Sequence, residues 1–224
     1  MAAGDIVSVR EAAEALDLDE RAVRLLAASG ELEGIKRGGS WWLDRRSVER
    51  RVRQAPAPGR PLSPAMSWTI LLLASGDAQG FPRLAAHQPS RARQWLATHS
   101  LVSDAARLRA RGAREAFEVH PSELPRIAAR DDLVRTGISA ADTVGVHGGR
   151  RELEHYAPEC LRDEIIAEHG LEPGDGPLLM RWVPDDLWRM VGIGIAPRAA
   201  VLVDLLEHDD PRVRREAADA LRRM

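Results

Sequence analysis

Residues 8–52 limit the possible folds of this chain more than any other stretch, because they hold several short elements with almost no spacer between them. Ser8 and Glu11 form the Ser-x-x-Glu pattern of a capping box, which predicts the start of a first helix. Asp19 predicts the N-cap of a second helix, and Gly30 predicts its left-handed end. Small and apolar side chains recur at helical spacing in both segments, so the two helices are expected to pack on each other.

A hairpin is predicted next, over residues 32–44. Apolar and polar residues alternate on both sides of Gly38-Gly39, and a glycine pair between such runs indicates a tight turn. Alternation sends neighbouring side chains to opposite faces of a strand. We therefore expect Trp41 in the core and Trp42 outside, either against the helix surface or against a DNA backbone.

A third helix, capped by Asp44, completes the segment. Val48 and Val52 are expected to face inward, and four arginines are expected to face outward and, together with the wing, to contact DNA phosphates: Arg45, Arg46, Arg50 and Arg51. Two short helices, a glycine-tipped hairpin and a third, basic helix follow the order of a winged helix-turn-helix, which makes duplex DNA the leading partner.

The charge distribution agrees with a DNA partner. The formal net charge of the chain is only −2, but between Lys36 and Arg60 the basic residues are opposed by Asp44 and Glu49 alone. A local basic strip on a near-neutral chain is typical of a protein that recognises a specific DNA site.

Residues 6–53 resemble the excisionase and MerR-type helix-turn-helix family. The resemblance lies in Ser-x-x-Glu-Ala-Ala, in Val-x-x-Leu of the second helix, in Gly-Glu-Leu and in Gly-Gly-x-Trp of the wing. It implies that the second helix enters the major groove and that the wing touches the backbone or the minor groove. By position, Arg21 and Arg24 would contact bases, with Glu20 in a secondary role, and Lys36, Arg37 and Ser40 would lie in the wing.

Two departures from the family pattern suggest weak binding by one module. Family members often have arginine at the position of Ser40 and basic residues at the positions of Ala28 and Ser29. We therefore expect two copies, forming a homodimer on the DNA, to bind an operator with inverted half-sites about one helical turn apart.

A proline-rich linker is predicted over residues 55–64. Within it, Pro58-Gly59-Arg60-Pro61 resembles the core of an AT-hook, in which the arginine lies in a narrow minor groove. The favoured interpretation of this segment is nevertheless a plain spacer, followed by a helix with Ser63 at its N-cap and Pro64 at its first position.

The remainder, residues 65–224, is predicted to be a larger, mainly helical α+β domain, so that the whole chain is of the α+β class. Helices are predicted over residues 65–75, 91–99, 105–111, 122–129, 158–169, 197–208 and 210–224. Strands are predicted over residues 113–120, 133–138, 152–156 and 176–183.

Four segments of this part resemble AbiEi-type antitoxins of type IV toxin–antitoxin systems: residues 59–63, 120–125, 133–140 and 196–207. The resemblance implies that the larger domain neutralises a nucleotidyltransferase-like toxin and that the winged helix represses the operon. It transfers no individual toxin contact. We expect the closing helices, residues 197–224, to form part of the toxin-binding surface, because they combine an apolar stripe with many arginines.

The search for catalytic chemistry predicts no enzyme. No Gly-x-Ser-x-Gly elbow or phosphate-binding loop occurs. The densest group of potential metal ligands matches no standard zinc spacing, so no metal or cofactor is expected: His147, Glu152, Glu154, His155 and Cys160.

The cellular location is expected to be cytoplasmic. Cys160 is the only cysteine, which excludes an intrachain disulfide, and the N-terminus has no signal-peptide pattern. The apolar run over residues 70–74 is far too short to cross a bilayer, so no membrane partner is expected.

Three functions therefore compete. The first is a transcriptional autorepressor that is also an antitoxin. The second is a one-component regulator whose larger domain binds a small molecule, which would require an enclosed pocket with convergent polar groups. The third is an excisionase-type recombination factor, which would need little beyond the winged helix.

Overall fold

The computed structural model describes residues 6–16, 18–54, 61–76, 88–148 and 152–224. The chain divides into two compact units, Met1–Pro56 and Ala57–Met224. Helix accounts for 54% and strand for 18% of the described residues, which confirms the predicted mixture of helix and strand of an α+β protein.

The smaller unit contains three helices and a three-stranded antiparallel sheet among its described residues. In chain order the elements are β1 (Ile6–Ser8), α1 (Val9–Leu16), α2 (Glu20–Ser29), β2 (Gly34–Arg37), β3 (Ser40–Asp44) and α3 (Arg45–Gln54). Strand β3 lies in the middle of the sheet, between β1 and β2.

Local hydrogen bonds set the ends of these helices as the sequence predicted. The Ser8 amide donates to Glu11 Oε2 at 2.7 Å, and the Glu11 amide donates to Ser8 Oγ at 3.2 Å, which makes a reciprocal capping box. Asp19 Oδ1 accepts from the Ala22 amide at 2.8 Å. Gly30 ends α2 with φ 83°, a conformation that favours glycine.

The hairpin turn and the third cap are also confirmed. Gly38 and Gly39 have φ 59° and 81°, as a two-residue turn of type I′ requires. Asp44 Oδ1 accepts from the Ser47 amide at 2.9 Å at the start of α3. The predicted turn at Asp17 lies outside the described residues.

Ten buried residues form the core of the smaller unit: Val7, Val9, Ala12, Ala13, Leu16, Val23, Ala27, Leu32, Leu43 and Val48. Trp41 packs against this core, whereas Trp42 is exposed, as alternation predicted. The prediction that Val52 faces inward is wrong, because the core ends at Val48 and the Val52 side chain is 40% exposed.

The larger unit contains six α-helices among its described residues: α4 (Pro64–Ala74), α5 (Gln88–Thr98), α6 (Leu124–Ala128), α7 (Arg162–His169), α8 (Arg198–Leu205) and α9 (Pro211–Arg222). Shorter 3₁₀ helices span Ala105–Arg111, Gly137–Val144, Glu159–Leu161 and Asp185–Met190.

A five-stranded mixed sheet crosses the larger unit. Its strands are β4 (Ala113–Glu118), β5 (Val134–Arg135), β6 (Leu153–Pro158), β7 (Glu172–Pro173) and β8 (Leu178–Val183), in the spatial order β5-β6-β8-β4-β7. The central pair, β6 and β8, is parallel, and the other pairs are antiparallel.

Helices pack against both faces of this sheet. Tyr156 and Val183 belong to the apolar cluster that contains α4, α8 and α9, whereas Ala157 and Trp182 belong to the cluster that contains Ile165 of α7. Neighbouring residues of one strand point to opposite faces, which explains this division.

The start of α4 agrees with the sequence, since Ser63 Oγ accepts from the Met66 amide at 3.3 Å and Pro64 is the first helical residue. The strand predicted over residues 133–138 is shorter than expected. It ends at Arg135, and Gly137, with φ 44°, starts a 3₁₀ helix that the sequence did not predict. The helix predicted over residues 158–169 is divided into a 3₁₀ turn and α7.

Candidate nucleic-acid interface

Helix α2 has one face in the core and one face exposed. Val23 and Ala27 are buried against α1, while Arg21, Arg24 and Leu25 are exposed. Arg21 forms no hydrogen bond or ion pair with the described residues. Its guanidinium group is therefore available for an external acceptor.

Arg24 differs from Arg21 because it pairs with Glu20, one helical turn earlier. Both side chains are about half exposed, so the pair stabilises the helix only slightly. The pair does, however, hold the Arg24 guanidinium near the N-terminal end of α2. The sequence predicted both residues as DNA contacts but did not predict that they bind each other.

Leu25 is the residue on this face that the sequence search missed. Its side chain is 63% exposed, although a leucine usually lies in the core. The sequence could have indicated this exposure, because Leu25 lies one residue away from the buried stripe of Val23, Leu26 and Ala27. An exposed leucine on the same face as Arg21 and Arg24 gives that face an apolar contact point.

The hairpin presents a second exposed surface. Ile35 of β2 lies opposite Trp42 of β3, and Arg37 lies opposite Ser40. The side chains of Ile35 and Trp42 are 47% and 42% exposed. Lys36 is also exposed, and neither Lys36 nor Arg37 has a partner among the described residues.

Helix α3 contains two kinds of arginine. Arg45 and Arg46 are exposed, and neither forms a hydrogen bond or ion pair with the described residues. Arg50 pairs with Glu33, and Arg51 Nη1 lies 2.8 Å from a carboxylate oxygen of Glu31. The sequence did not predict these two pairs, which link α3 to the segment between α2 and β2.

The cations of the predicted basic strip therefore fall into two groups, those that pair with carboxylates of the chain and those that do not. Five cations form no hydrogen bond or ion pair with the described residues of the smaller unit, although the charge of Arg45 contributes to the lowered pKa of Glu11: Arg21, Lys36, Arg37, Arg45 and Arg46. Several carboxylates of the unit are already engaged: Glu11, Glu14, Glu20, Glu31 and Glu33. Arg60, also predicted to contact DNA, lies outside the described residues.

The larger unit contains a buried ionic cluster that the sequence search missed. Arg111 is fully buried, and its guanidinium donates to Asp204 Oδ1 at 2.9 Å, to Tyr156 Oη at 3.1 Å and to Glu207 Oε1 at 2.9 Å. It also donates to the Leu108 carbonyl at 3.1 Å.

Arg181 is the second buried arginine of the cluster. Its guanidinium donates to Glu154 Oε1 and to Glu207 Oε2, each at 2.9 Å, and its Nε lies 3.3 Å from Asp204 Oδ1. The Thr136 hydroxyl donates to the other oxygen of Asp204. Two guanidinium groups and three carboxylates thus satisfy one another inside the unit.

Burial and charge oppose each other at these groups. Burial alone would raise the pKa of Glu207, but Arg181 and Arg111 outweigh it and hold this pKa well below its usual range. Burial would lower the pKa of Arg111, yet Asp204 and the neighbouring groups raise it well above its ordinary value. Burial raises the pKa of Glu154. The sequence did contain an indication of these buried charges, because Arg181 and Asp204 each interrupt an otherwise apolar run.

The residues considered for a metal site are engaged elsewhere or kept apart. Glu154 binds Arg181, and Glu152 lies 3.1 Å from His208 Nε2. His155 is buried in the sheet, and neither ring nitrogen has a hydrogen-bond partner. No group of three or more histidine, cysteine or acidic residues within the described ranges could hold a metal ion.

Cys160 is exposed, and its neighbour Asp185 does not activate it. A hydrogen bond to the Asp185 carboxylate, together with some desolvation, raises the pKa of the Cys160 thiol. The thiolate, which is the reactive form, is therefore disfavoured at neutral pH.

Comparison with known proteins gave one short match. A family model described as an Armadillo/beta-catenin-like repeat matches residues 200–224, which include most of α8 and all of α9. This match covers a helical pair and is too short to assign the chain to a family. The comparisons with curated proteins and with solved structures each gave no match.

One further observation concerns membranes. In the part of the chain that the structure describes, no helix has both the length and the apolar character needed to cross a bilayer.

Proposed function

We propose that this chain is a DNA-binding transcriptional regulator whose smaller unit is a winged helix-turn-helix. In this proposal α2 enters the major groove and the β2–β3 hairpin is the wing. The observation that carries the proposal is the exposed face of α2, where Arg21 has no hydrogen bond or ion pair with the part of the chain that the structure describes and lies beside the exposed Leu25. Several carboxylates of the unit already bind other groups of the chain. They therefore do not neutralise the unpaired cations, which can attract phosphate.

The exposed residues suggest a division of roles. Arginine binds the O6 and N7 acceptors of guanine, and an apolar side chain packs on the methyl group of thymine. We assign the first role to Arg21 and the second to Leu25. Arg37, Arg45 and Arg46 would contact phosphates, and with them Lys36 and Ser40. Arg50 and Arg51, held by carboxylates, would mainly maintain the shape of the unit.

We propose that the larger unit is an antitoxin that acts in the cytoplasm on a nucleotidyltransferase-like toxin encoded beside it. The resemblance of its four segments to AbiEi-type antitoxins supports this, because such proteins repress their own operon and neutralise the toxin. An excisionase-type factor would not need this separate compact unit with its own core. The polar groups that converge inside the unit already bind one another, which disfavours the ligand-responsive alternative.

The DNA proposal is tested by selection of binding sites from random duplexes with the full chain. The selected site should contain two inverted half-sites, each with a guanine adjacent to a thymine. Arg21→Ala should lower the preference for that guanine by about 1–3 kcal/mol. Arg215→Ala is the matched control, because Arg215 is also exposed and unpaired among the described residues but belongs to the larger unit. An Arg21→Ala variant with unchanged affinity and unchanged sequence preference would exclude the proposed docking.

The antitoxin proposal is tested by expressing the adjacent gene alone and together with the full chain. Growth arrest by the neighbour alone, relieved by the full chain, is the expected result. A harmless neighbour, combined with binding of a metabolite to the larger unit, would support the ligand-responsive regulator instead.

A further inference from the structure

The exposed face of α2 carries two rows of side chains. Residues four positions apart lie on the same side of a helix, so Arg21 and Leu25 form one row, and Glu20 and Arg24 form the other. All four side chains are exposed. The proposed function gives the first row a guanine and a thymine to contact. The second row starts at the first residue of α2, and the N-terminal residues of a recognition helix are the ones that reach base edges.

The second row is an ion pair with unused hydrogen-bonding groups. Arg24 Nη2 donates to Glu20 Oε2, and neither side chain has another hydrogen bond or ion pair with the part of the chain that the structure describes. The other carboxylate oxygen, Oε1, can still accept a hydrogen bond. The Nε and Nη1 groups of the guanidinium can still donate. The pair therefore presents an acceptor and several donors side by side.

This arrangement is complementary to one kind of base pair. In the major groove a C·G pair presents the N4 amino group of cytosine beside the O6 and N7 acceptors of guanine. A carboxylate can accept from the amino group while a guanidinium donates to the two acceptors. A T·A pair has the O4 acceptor of thymine in place of the amino group, and that oxygen would repel the carboxylate. An A·T pair has an amino group but offers the guanidinium only one acceptor, thymine O4.

The charges of the pair suit base recognition better than phosphate binding. An isolated carboxylate at the start of α2 would be repelled by the phosphates on both sides of the groove. Arg24 neutralises Glu20, so the pair as a whole adds no net charge that would attract phosphates. Phosphate contacts carry no sequence information, whereas contacts with base edges do. The pair would therefore add sequence preference without adding affinity for all DNA.

We propose that Glu20 and Arg24 act as one unit that recognises a C·G base pair in each half-site. In this proposal Glu20 accepts from cytosine N4 and Arg24 donates to guanine O6 and N7. The proposal rests on the proposed winged helix-turn-helix function and names the base pair that the second row of α2 contacts. That base pair is distinct from the guanine and thymine assigned to Arg21 and Leu25.

The closing helices offer no comparable surface, although residues 197–224 were predicted to form part of an interaction surface. Both carboxylate oxygens of Glu216 are engaged, one by Arg212 Nε at 2.9 Å and the other by the His147 amide at 3.0 Å. The predicted apolar stripe of α8 is fully buried in the core, so it cannot meet a partner without unfolding: Ala199, Leu202 and Val203.

The test measures the Kd of the full chain for its selected DNA site, for variants of that site with one base pair changed, and for a random duplex. Glu20→Ala should lower the preference for C·G at one position about tenfold. The same change should strengthen binding to the random duplex, because a carboxylate near the phosphates is removed and Arg24 is released. A residue that only stabilised α2 would weaken both kinds of binding when replaced. Glu14→Ala is the matched control, since Glu14 forms an exposed pair with Arg10 four residues away on α1, and it should leave every base preference unchanged.

A double-mutant cycle tests whether the two residues act as one unit. Arg24→Ala leaves the Glu20 carboxylate in the groove without its neutralising partner. This variant should therefore bind the selected site more weakly than the double variant Glu20→Ala, Arg24→Ala. Independent contacts would make the double variant the weaker of the two. Replacing the guanine of the C·G pair by 7-deazaguanine, which lacks N7, should weaken binding of the wild-type chain several-fold and should not affect Arg24→Ala.

The outcomes separate this proposal from the proposed DNA-binding function. If the full chain selects no DNA sequence, both fail. If Arg21→Ala removes the preference for its guanine while Glu20→Ala and Arg24→Ala leave every base preference unchanged, the DNA-binding function remains and the pair is not a base contact. If Glu20→Ala strengthens binding to all sequences equally, Glu20 only repels phosphates and the proposal is wrong. Circular dichroism and thermal unfolding check that each variant is folded, and the 7-deazaguanine duplex tests the wild-type chain itself.

Discussion

Replacing Asp204 by asparagine tests whether the buried ionic cluster stabilises the larger unit through its charge. Asparagine keeps the size of the side chain and retains one oxygen that can accept from Arg111. The other position can still exchange a hydrogen bond with the Thr136 hydroxyl, because a hydroxyl can either donate or accept. The main loss is the negative charge between two buried guanidinium groups, Arg111 and Arg181.

The expected destabilisation is large because the surrounding charges stay buried. Removing one partner of a buried ion pair typically lowers the free energy of unfolding by about 3–5 kcal/mol. In a unit of this size each kcal/mol lowers Tm by about 2–4 °C, so the midpoint should fall by roughly 10 °C. The remaining bonds of Arg111 to Glu207 and Tyr156 place the expected value at the lower end, about 3 kcal/mol.

Urea unfolding of the full chain, followed by circular dichroism, measures this change. Asp219→Asn is the matched control, because Asp219 pairs with Arg222 on the surface, with both side chains at least half exposed. The control should change the free energy of unfolding by less than about 1 kcal/mol. If Asp204→Asn destabilises the protein no more than this control, at an unchanged m-value, the cluster does not contribute stability through its charge.

Two further predictions concern salt and pH. If Arg45 and Arg46 contact phosphates, removing each one should flatten the plot of log affinity against log salt by about 0.9, measured by fluorescence anisotropy; an unchanged slope in the double alanine variant would remove them from the interface. Burial, reinforced by Arg135, lowers the pKa of His155 to about 4, so between the unfolded value of 6.5 and about pH 4 the unfolded chain binds more protons than the folded chain. Stability should therefore fall by about 2 kcal/mol from pH 7 to pH 5 through this group, and His155→Gln should remove most of that part of the loss; equal pH dependence in both proteins would show that His155 does not titrate in this way. His208, whose pKa is raised beside Glu152 although burial opposes the charge, acts in the opposite direction and is common to both proteins.

The features that the sequence predicted correctly depend on residues close together in the chain. The Ser8–Glu11 capping box and the Asp19 cap each join residues three positions apart, and the hairpin turn depends on Gly38-Gly39 alone. Such patterns specify their own geometry, because the same few residues supply the donor, the acceptor and the required backbone conformation.

The features that the sequence did not reveal join distant residues. Arg50 and Glu33 are 17 positions apart, and Arg111 and Asp204 are 93 positions apart. No periodicity marks such pairs, since each partner satisfies the pattern of its own element. In the predicted site, this limit mattered most at α3. Helical periodicity placed four arginines on the exposed side, but it could not indicate that two of them pair with carboxylates.

The division among those arginines bears on how many copies of the chain an operator would need. If Lys36, Arg37, Arg45 and Arg46 each contacted one phosphate, a single copy would give a salt slope of about −3.6. Raising salt from about 50 to 200 mM would then weaken that copy by roughly two orders of magnitude, which leaves little binding under physiological conditions. A partner copy on an inverted half-site adds a second set of contacts and doubles the number of bases contacted. The pairing of the other α3 arginines within the chain is therefore an independent reason, beyond the residues that differ from the family pattern, to expect two copies on the DNA.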